Sequence, residues 1–288
     1  MRKLPQLISC VLLAAGTTAA CAQDDAALLA RGKYLMEGVV ACANCHIARS
    51  DKSEPLYDKG LSGGMLFDDP AFKAYAPNIT PDPETGIGKW TDAQLAKAIR
   101  EGIRPDGSLI GPPMPIPFYR NLSDADLAAI IAYLKAQPPI KHAVAKSTYH
   151  IPLPPNYGPP VAHVTAPAQG GTRQYGEYLA NIGHCMDCHT PRGKNGMLIM
   201  SRLGAGGQVI KWPDGSEAVT PNLTPDESGL KSWSDAQIER AIREGIDKNG
   251  NPLRRIMAFD WYKNIDAQDM SALIAYLRSL KPQPTGAN

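Results

Sequence analysis

Two copies of the pattern Cys-x-x-Cys-His constrain this 288-residue chain more than any other feature. They span Cys42–His46 and Cys185–His189. Two thiols separated by two residues can form thioethers with the two vinyl groups of one porphyrin, and the following histidine is then placed to bind the iron. A closed zinc site and a thioredoxin-like thiol pair are the alternatives, but neither explains a histidine after both pairs. The pattern therefore predicts two covalently bound haem c groups.

Haem attachment is predicted at four cysteines and iron ligation at two histidines. The attachment residues are Cys42, Cys45, Cys185 and Cys188, and the iron ligands are His46 and His189. Cys10 and Cys21, the remaining two of the six cysteines, lie in or beside an N-terminal export signal. No cysteine is therefore left for a structural disulfide.

The two motifs belong to a tandem repeat. A shift of 143 residues places Cys42 on Cys185 and also matches one pair of tryptophans, two pairs of tyrosines and a Gly-Gly segment, whereas residues 32–35 and 77–80 need a shift of 144. Because each copy carries one complete motif, each half is expected to form one haem domain. The predicted divisions are a signal peptide over residues 1–22, an N-terminal domain over 23–137, a proline-rich linker over 138–170 and a C-terminal domain over 171–288.

Three helices are predicted in each half. They cover Asp25 to Val39, Thr91 to Glu101 and Ser123 to Ala136, and in the second half Arg173 to Asn181, Ser234 to Glu244 and Asp266 to Leu280. Thr91 and Ser234 begin capping boxes, and glycines follow both helices. A Gly- and Pro-rich segment of about 40 residues separates the first two helices of each half. A structureless loop of that length is unusual, and packing on a porphyrin would explain it.

The first 22 residues have the features of a secretory signal. Arg2 and Lys3 form a positive start, a short apolar run ends near Ala15, and small residues flank Cys21. A lipidated Cys21 is the alternative to cleavage before Gln23. Later in the chain, no apolar stretch reaches the roughly 20 residues that span a bilayer. A soluble periplasmic protein is therefore expected, with a lipid-anchored or peripheral form as the alternative.

Charge composition excludes one class of partner. Without Arg2 and Lys3, 28 basic residues stand against 28 acidic ones, so the exported polypeptide is formally neutral. Nucleic acid binding requires a basic surface, and none is indicated here.

The sixth iron ligand is predicted from the repeat. Of the nine methionines, only Met114 and Met257 occupy equivalent positions, each 68 residues after its histidine. Prolines surround Met114, whereas Met257 has only Pro252 nearby. Filling of the core is the alternative role for both. We predict that both are axial ligands, which suits low-spin electron-transfer haems.

Other polar residues are assigned lesser roles. The four spare histidines are interpreted as surface or structural residues; they are His142, His150, His163 and His184. Three repeated pairs have two open interpretations, as packing and turn residues or as donors to buried haem propionates. These pairs are Trp90/Trp233, Asn78/Asn222 and Thr80/Thr224.

Taken together, these motifs resemble the class I cytochrome c superfamily, and more closely the cytochrome subunits of periplasmic alcohol, aldehyde and sugar-acid dehydrogenases. The resemblance covers nearly all of residues 24–284 and is strongest in the turn Pro77–Asp82 and in Met114-Pro115 with Tyr119. It implies a mainly α fold of two tandem class I domains with long haem-packing loops. Those subunits commonly carry three haems and a C-terminal membrane anchor. This chain has two motifs and a polar C-terminal segment, which favours a soluble shuttle or peripheral subunit.

The expected function is electron transfer without substrate chemistry. The resemblance implies a periplasmic dehydrogenase as donor, and as acceptor another cytochrome, an oxidase or a quinone-linked complex of the respiratory chain. The main alternative is a di-haem enzyme, such as a cytochrome c peroxidase or a thiosulfate-oxidising cytochrome. Each needs one iron without a permanent methionine, so the matched methionines argue against both. A haem-based gas sensor is a third class, for which the chain carries no signalling domain.

Overall fold

The computed structural model describes residues 14–50, 54–194, 196–211, 217–254 and 256–286, with side chains from residue 23 onward apart from residue 211. The charged start of the predicted signal and Cys10 lie outside the described residues, and so does the side chain of Cys21. Within the described part, no helix is both long and apolar enough to cross a membrane.

Helices dominate both halves. The first half contains α1 (Ala14–Met36), α2 (Ala43–His46), α3 (Asp92–Glu101), α4 (Ile116–Tyr119) and α5 (Asp124–Lys135). The second half contains α6 (Arg173–Ile182), α7 (Cys185–His189), α8 (Asp235–Glu244), α9 (Phe259–Tyr262) and α10 (Ala267–Ser279). One 3₁₀ turn follows each haem motif, at Tyr57–Lys59 and Met200–Arg202. The predicted mainly α class is confirmed.

The predicted capping boxes are confirmed. The Thr91 side chain accepts the backbone N–H of Gln94, whose side chain returns a bond to the Thr91 N–H, and Ser234 begins α8 in the same way. Both helices end at a glycine in the left-handed conformation, Gly102 with φ 67° and Gly245 with φ 68°. These local signals set the boundaries to within one residue because they satisfy backbone groups that the helix ends leave unpaired.

The first helix differs from its prediction. It is already helical at Ala14, where the described residues begin, rather than starting at Asp25, because an alanine-rich stretch favours helix on both sides of the expected cleavage position. It ends at Met36 rather than Val39. A Cβ at Gly38 would stand 2.5 Å from the Tyr34 carbonyl oxygen, so the chain leaves the helix where only glycine permits that approach.

Small antiparallel sheets occupy the Gly- and Pro-rich segments, where none was predicted. Strands β1 (Leu66–Asp69) and β2 (Phe72–Tyr75) form a hairpin, with Leu66 opposite Tyr75. The linker adds β3 (Thr148–Tyr149) to its edge, and the second half has a two-stranded sheet of β4 (Val209–Lys211) and β5 (Glu217–Val219). Strands this short carry little sequence signal.

The linker runs along the first half. The Tyr157 hydroxyl donates to the Ile110 carbonyl at 2.8 Å, and the Asp124 N–H donates to the Val164 carbonyl at 2.9 Å. Prolines with fixed φ keep this segment extended. The linker, residues 138–170, therefore packs along the first half before the chain enters α6, and we call it a strap.

Both halves share one hydrophobic core. α1 packs on α5 and α6 packs on α10, and their buried side chains form a single apolar cluster. Val39 and Gly183 meet where the halves join, and a Cβ at Gly183 would lie 3.0 Å from the Val39 carbonyl oxygen. The two haem motifs therefore belong to one packed unit, because the interface between the halves is continuous with the interior of each.

Candidate functional site

The motif histidines are held identically in the two halves. Nδ1 of His46 lies 2.9 Å from the carbonyl oxygen of Pro77, and Nδ1 of His189 lies 2.8 Å from that of Pro221. A carbonyl oxygen only accepts, so Nδ1 carries the proton and Nε2 keeps its lone pair. Metal-binding histidines are commonly oriented by a second hydrogen bond of this kind. Both rings therefore fit axial ligation of a haem iron through Nε2.

Burial favours the protonation state that iron ligation needs. Removal from water lowers the pKa of both His46 and His189, although the hydrogen bond to the proline carbonyl opposes the shift. Both imidazoles are consequently neutral at pH 7, which leaves a lone pair available on Nε2.

The repeated glycines make room for the proline carbonyls. Gly63 has φ 76°, and a Cβ there would lie 2.5 Å from the carbonyl carbon of Pro77. Its N–H also donates to the His46 carbonyl at 2.9 Å. Gly206 stands in the same relation to Pro221, at 2.6 Å. In each half the glycine makes room for the proline carbonyl that orients the histidine. The sequence interpretation missed this role, although the glycine pair and the proline turn both recur in the repeat.

None of the four motif cysteines forms a disulfide with another described residue. Burial raises the pKa of Cys42 and Cys185 to about 12 and that of Cys45 and Cys188 to about 11. Across the described ranges, no three His, Cys, Asp or Glu side chains are grouped to hold a metal ion.

Met114 and Met257 occupy matching turns. The Ile116 N–H donates to the Met114 carbonyl at 2.9 Å, and the Phe259 N–H donates to the Met257 carbonyl at 2.9 Å. Both side chains are half-buried against the core. The second turn therefore reproduces the first without its prolines. Ligation of iron by either methionine stays a prediction.

The asparagines and threonines of the repeated turn bond within the protein. Asn78 donates to the Ile140 carbonyl at 2.7 Å, and Asn222 donates to the Gln283 carbonyl at 2.6 Å. Thr80 donates to the Asn78 side-chain oxygen at 2.7 Å. These bonds favour the turn and packing interpretation. They also show that the start of the linker and the C-terminal segment are equivalent straps across the two halves.

For the two tryptophans, the interpretation as hydrogen-bond donors to buried haem propionates stays open. Trp90 and Trp233 pack against the core, and neither indole N–H has a hydrogen-bond partner in the part of the chain that the structure describes. A partly buried indole N–H without a protein acceptor fits a donor to a propionate.

Three of the spare histidines have structural contacts. His142 Nδ1 lies 2.8 Å from the Ser62 carbonyl oxygen, and His163 contacts the Asp124 carboxylate. His184 packs edge-on against Tyr119 with ring centroids 5.9 Å apart. His150 is exposed on the linker. These positions agree with their interpretation as surface or structural residues.

Comparison with known proteins agrees with this geometry. The cytochrome c family model matches residues 29–138 and 174–281, one match in each half. The chain is 32% identical to one of the subunits of nicotinate dehydrogenase from Pseudomonas putida, over 90% of this chain and 22% of the relative. It is 32% identical to the cytochrome c subunit of alcohol dehydrogenase (quinone) of Gluconobacter oxydans, over 96% of this chain and 60% of that relative. A diheme cytochrome c-type protein of Cereibacter sphaeroides is 32% identical, over 82% of this chain and 81% of its own length. The chain thus spans less than two thirds of the first two relatives.

Proposed function

This chain belongs to the cytochrome c family, and from that premise we propose that it is a periplasmic electron carrier with two haem c groups. It receives electrons from a dehydrogenase and passes them to the respiratory chain. The observation that carries the proposal is the duplicated histidine geometry, with Nδ1 on the Pro77 carbonyl in one half and on the Pro221 carbonyl in the other.

Each half supplies a complete set of haem-binding residues. Cys42 and Cys45 in the first half and Cys185 and Cys188 in the second would form the thioethers. His46 with Met114, and His189 with Met257, would hold the iron. The bound group supplies one-electron chemistry at iron. The protein orients the imidazoles through the proline carbonyls, buries them and holds each methionine in a hydrogen-bonded turn. A methionine on each iron would favour electron transfer over peroxide or thiosulfate chemistry.

The proposed donor is a periplasmic dehydrogenase. Three relatives are named as cytochrome subunits of alcohol, fructose and gluconate dehydrogenases. The present chain aligns along most of its length with each of them. We place it in the same role, as an electron-transfer subunit or shuttle rather than a catalytic subunit. Its acceptor would be another cytochrome, an oxidase or a quinone-linked complex.

Two measurements test the proposal. Protein exported in a strain with haem-attachment machinery should show two haem additions by intact mass spectrometry. The purified protein should then be reduced by a periplasmic dehydrogenase and its substrate from the same organism. A single haem addition would contradict the count. Unaided turnover of peroxide or thiosulfate would replace the carrier role with the enzyme alternative.

A further inference from the structure

A cavity of about 180 Å³ lies between the two halves beside the first motif. It is bounded by α2, the C-terminal end of α1, α5, and α9 of the other half. Ala43 and Ile47 line it, whereas the cysteines and the histidine of the motif do not. Residues four apart share a helix face, so the motif helix presents its other face to this cavity. The cavity is therefore separate from the proposed haem site.

Two aromatic rings form adjacent walls of the cavity. The ring centroids of Tyr57, in the first half, and Trp261, on α9, are 6.2 Å apart, and the ring planes are inclined at 57°. Asn264 donates from its side-chain amide to the Glu37 backbone carbonyl at 2.7 Å, which fixes this end of α9 on the first half. A cation is attracted to an aromatic face within about 6 Å of the ring centroid, so one ion can contact both rings.

The cavity has a negative charge that no protein cation balances. Glu37 is the one charged side chain among the described residues that line it. Its carboxylate accepts the Tyr133 hydroxyl at 2.6 Å, and within the described part of the chain no lysine, arginine or histidine forms an ion pair with it. Burial, with a smaller effect of Glu37, raises the pKa of Tyr133 to about 12, so this hydroxyl is neutral at pH 7. A lone carboxylate beside aromatic rings suits an organic cation.

The second half fills the corresponding space with its own side chains. By the repeat, Met186 stands in the place of Ala43. Leu280 likewise stands in the place of Gln137. Met186 is 1% exposed and Leu280 is also buried. Both approach Gly204, where a Cβ would lie 3.7 Å from the methionine sulfur and 3.0 Å from a leucine methyl. The larger side chains therefore occupy the space that Ala43 leaves open in the first half.

The charge and one of the rings are also particular to the first half. Asn181 replaces Glu37 in the 144-residue register of the first helix, and Met200 replaces Tyr57 in the 143-residue register of the motif. The same fold thus has a filled apolar interior at this place in one half and an anionic cavity with aromatic walls in the other.

We propose that this cavity binds a methylated ammonium ion. The faces of Tyr57 and Trp261 contact its methyl groups, and the Glu37 carboxylate balances its charge. A primary ammonium is strongly hydrated and needs several acceptors, whereas methyl groups can also pack on apolar walls such as Ile47 and Leu61. This binding site goes beyond the proposed function and does not depend on it.

Calorimetric titration of the purified, exported protein tests the proposal. Choline is the probe, and 3,3-dimethylbutan-1-ol, which has the same shape without the charge, is the matched control ligand. We expect one choline site per chain, and binding of the neutral alcohol should be about tenfold weaker because it lacks the attraction to the rings and the carboxylate. Equal affinity for the two ligands, or no saturable binding of choline at millimolar concentrations, would overturn the proposal.

Three variants locate the site. Glu37→Gln keeps an acceptor for the Tyr133 hydroxyl and should weaken choline binding about tenfold while leaving the neutral alcohol unaffected. Ala43→Met introduces the residue of the second half and should abolish binding of both ligands. Asp58→Asn is the control, because it removes an exposed carboxylate next to Tyr57 that does not line the cavity. It should retain the parent affinity.

Parent affinity in both Glu37→Gln and Ala43→Met would overturn the assigned site, and Glu37→Gln keeps the test valid if the other variant fails to fold. Sedimentation with vesicles distinguishes two sources of the same cation. Binding to phosphatidylcholine but not phosphatidylglycerol vesicles, abolished by Ala43→Met, would identify a lipid headgroup as the ligand, whereas choline binding without sedimentation would identify a free ion. The haem count of the same sample, measured by mass spectrometry, tests the proposed function separately.

Discussion

The two halves hold their histidines alike but support them differently. His46 and His189 each lie within hydrogen-bond distance of an equivalent proline carbonyl, and an equivalent glycine makes room for each carbonyl. Two buried carboxylates, Asp126 and Asp269, each accept a hydrogen bond from a tyrosine of the other half, but their surroundings differ. Asp126 is paired with Arg31 at 2.8 Å, whereas the residue equivalent to Arg31 in the second half is Tyr175, so Asp269 has no cation in that place. The repeat thus preserves the groups that touch the histidines, whereas the two halves differ from each other at the interface between them.

The methionines offer the largest test of equivalence. If each binds iron, the oxidised protein should show the weak near-infrared sulfur-to-iron charge-transfer band at an intensity for two haems. Met114→Ala should remove about half of it and Met257→Ala the other half, since the two haems contribute equally. Each variant should also open one site to cyanide or carbon monoxide and change one haem potential. An unchanged band in Met257→Ala would show that the second haem has a different ligand, and the enzyme alternative would gain support.

The next largest effect is expected at the glycine that makes room for the proline carbonyl beside each histidine. Gly63→Ala places a Cβ 2.5 Å from the Pro77 backbone at φ 76°, so it should cost about 3 kcal/mol or more of unfolding free energy. Gly64→Ala is the control. It also has positive φ, but its Cβ would approach only the His142 ring, at 3.3 Å, so its cost should be about 1 kcal/mol. Denaturant unfolding measures both, and Gly206→Ala should repeat the larger effect. Equal costs at Gly63 and Gly64 would contradict the assigned role.

Asp126 and Asp269 should respond oppositely to the removal of their charge. Asp126→Asn removes the anionic partner of the Arg31 guanidinium and leaves it only neutral acceptors, among them the Tyr175 hydroxyl, so it should cost about 3 kcal/mol. Asp269→Asn keeps an acceptor for the Tyr34 hydroxyl and removes a buried charge, so it should leave the protein at least as stable as the parent at neutral pH. Thermal unfolding of the two variants checks this difference. A larger loss at Asp269 would show that the two sites are not distinguished by Arg31.

The pH dependence of that comparison follows from Asp269. Burial raises the pKa of its carboxyl above the ordinary value of 3.8. The folded state therefore binds this proton more tightly than the unfolded state does, and the associated stability is present at low pH and lost as pH rises through the raised pKa. The advantage of Asp269→Asn at neutral pH should accordingly disappear below about pH 4, where the parent carboxyl is protonated. A pH-independent difference would exclude this cause.

The smallest expected effect concerns the straps. Asn78→Ala and Asn222→Ala each remove a hydrogen bond to a strap carbonyl, at Ile140 and Gln283, and each should cost about 1 kcal/mol. Limited proteolysis should cleave the linker faster in Asn78→Ala and the C-terminal segment faster in Asn222→Ala. Cleavage at the same site in both variants would argue against two independent straps.

Sequence patterns predicted elements best where the signal was local. The capping boxes at Thr91 and Ser234 set helix starts to within one residue, and the repeat identified Met114 and Met257 as a pair. The hairpins were missed because strands of three or four residues have no usable periodicity. The start of the first helix was also misplaced, because a predicted cleavage position does not interrupt helix propensity.

The sequence by itself predicted the haem chemistry of each half, because thioether attachment and histidine ligation depend on residues that lie together in one five-residue segment. It also predicted that this chemistry occurs twice, because the repeat carries both motifs. Only the tertiary structure decided how the histidines are aimed, since Pro77 lies 31 residues beyond His46 and reaches it across Gly63. The relation between the halves was likewise undetermined by the sequence. It depends on contacts such as Tyr34 with Asp269, 235 residues apart, which form only when both halves have folded and their apolar surfaces have joined in one core.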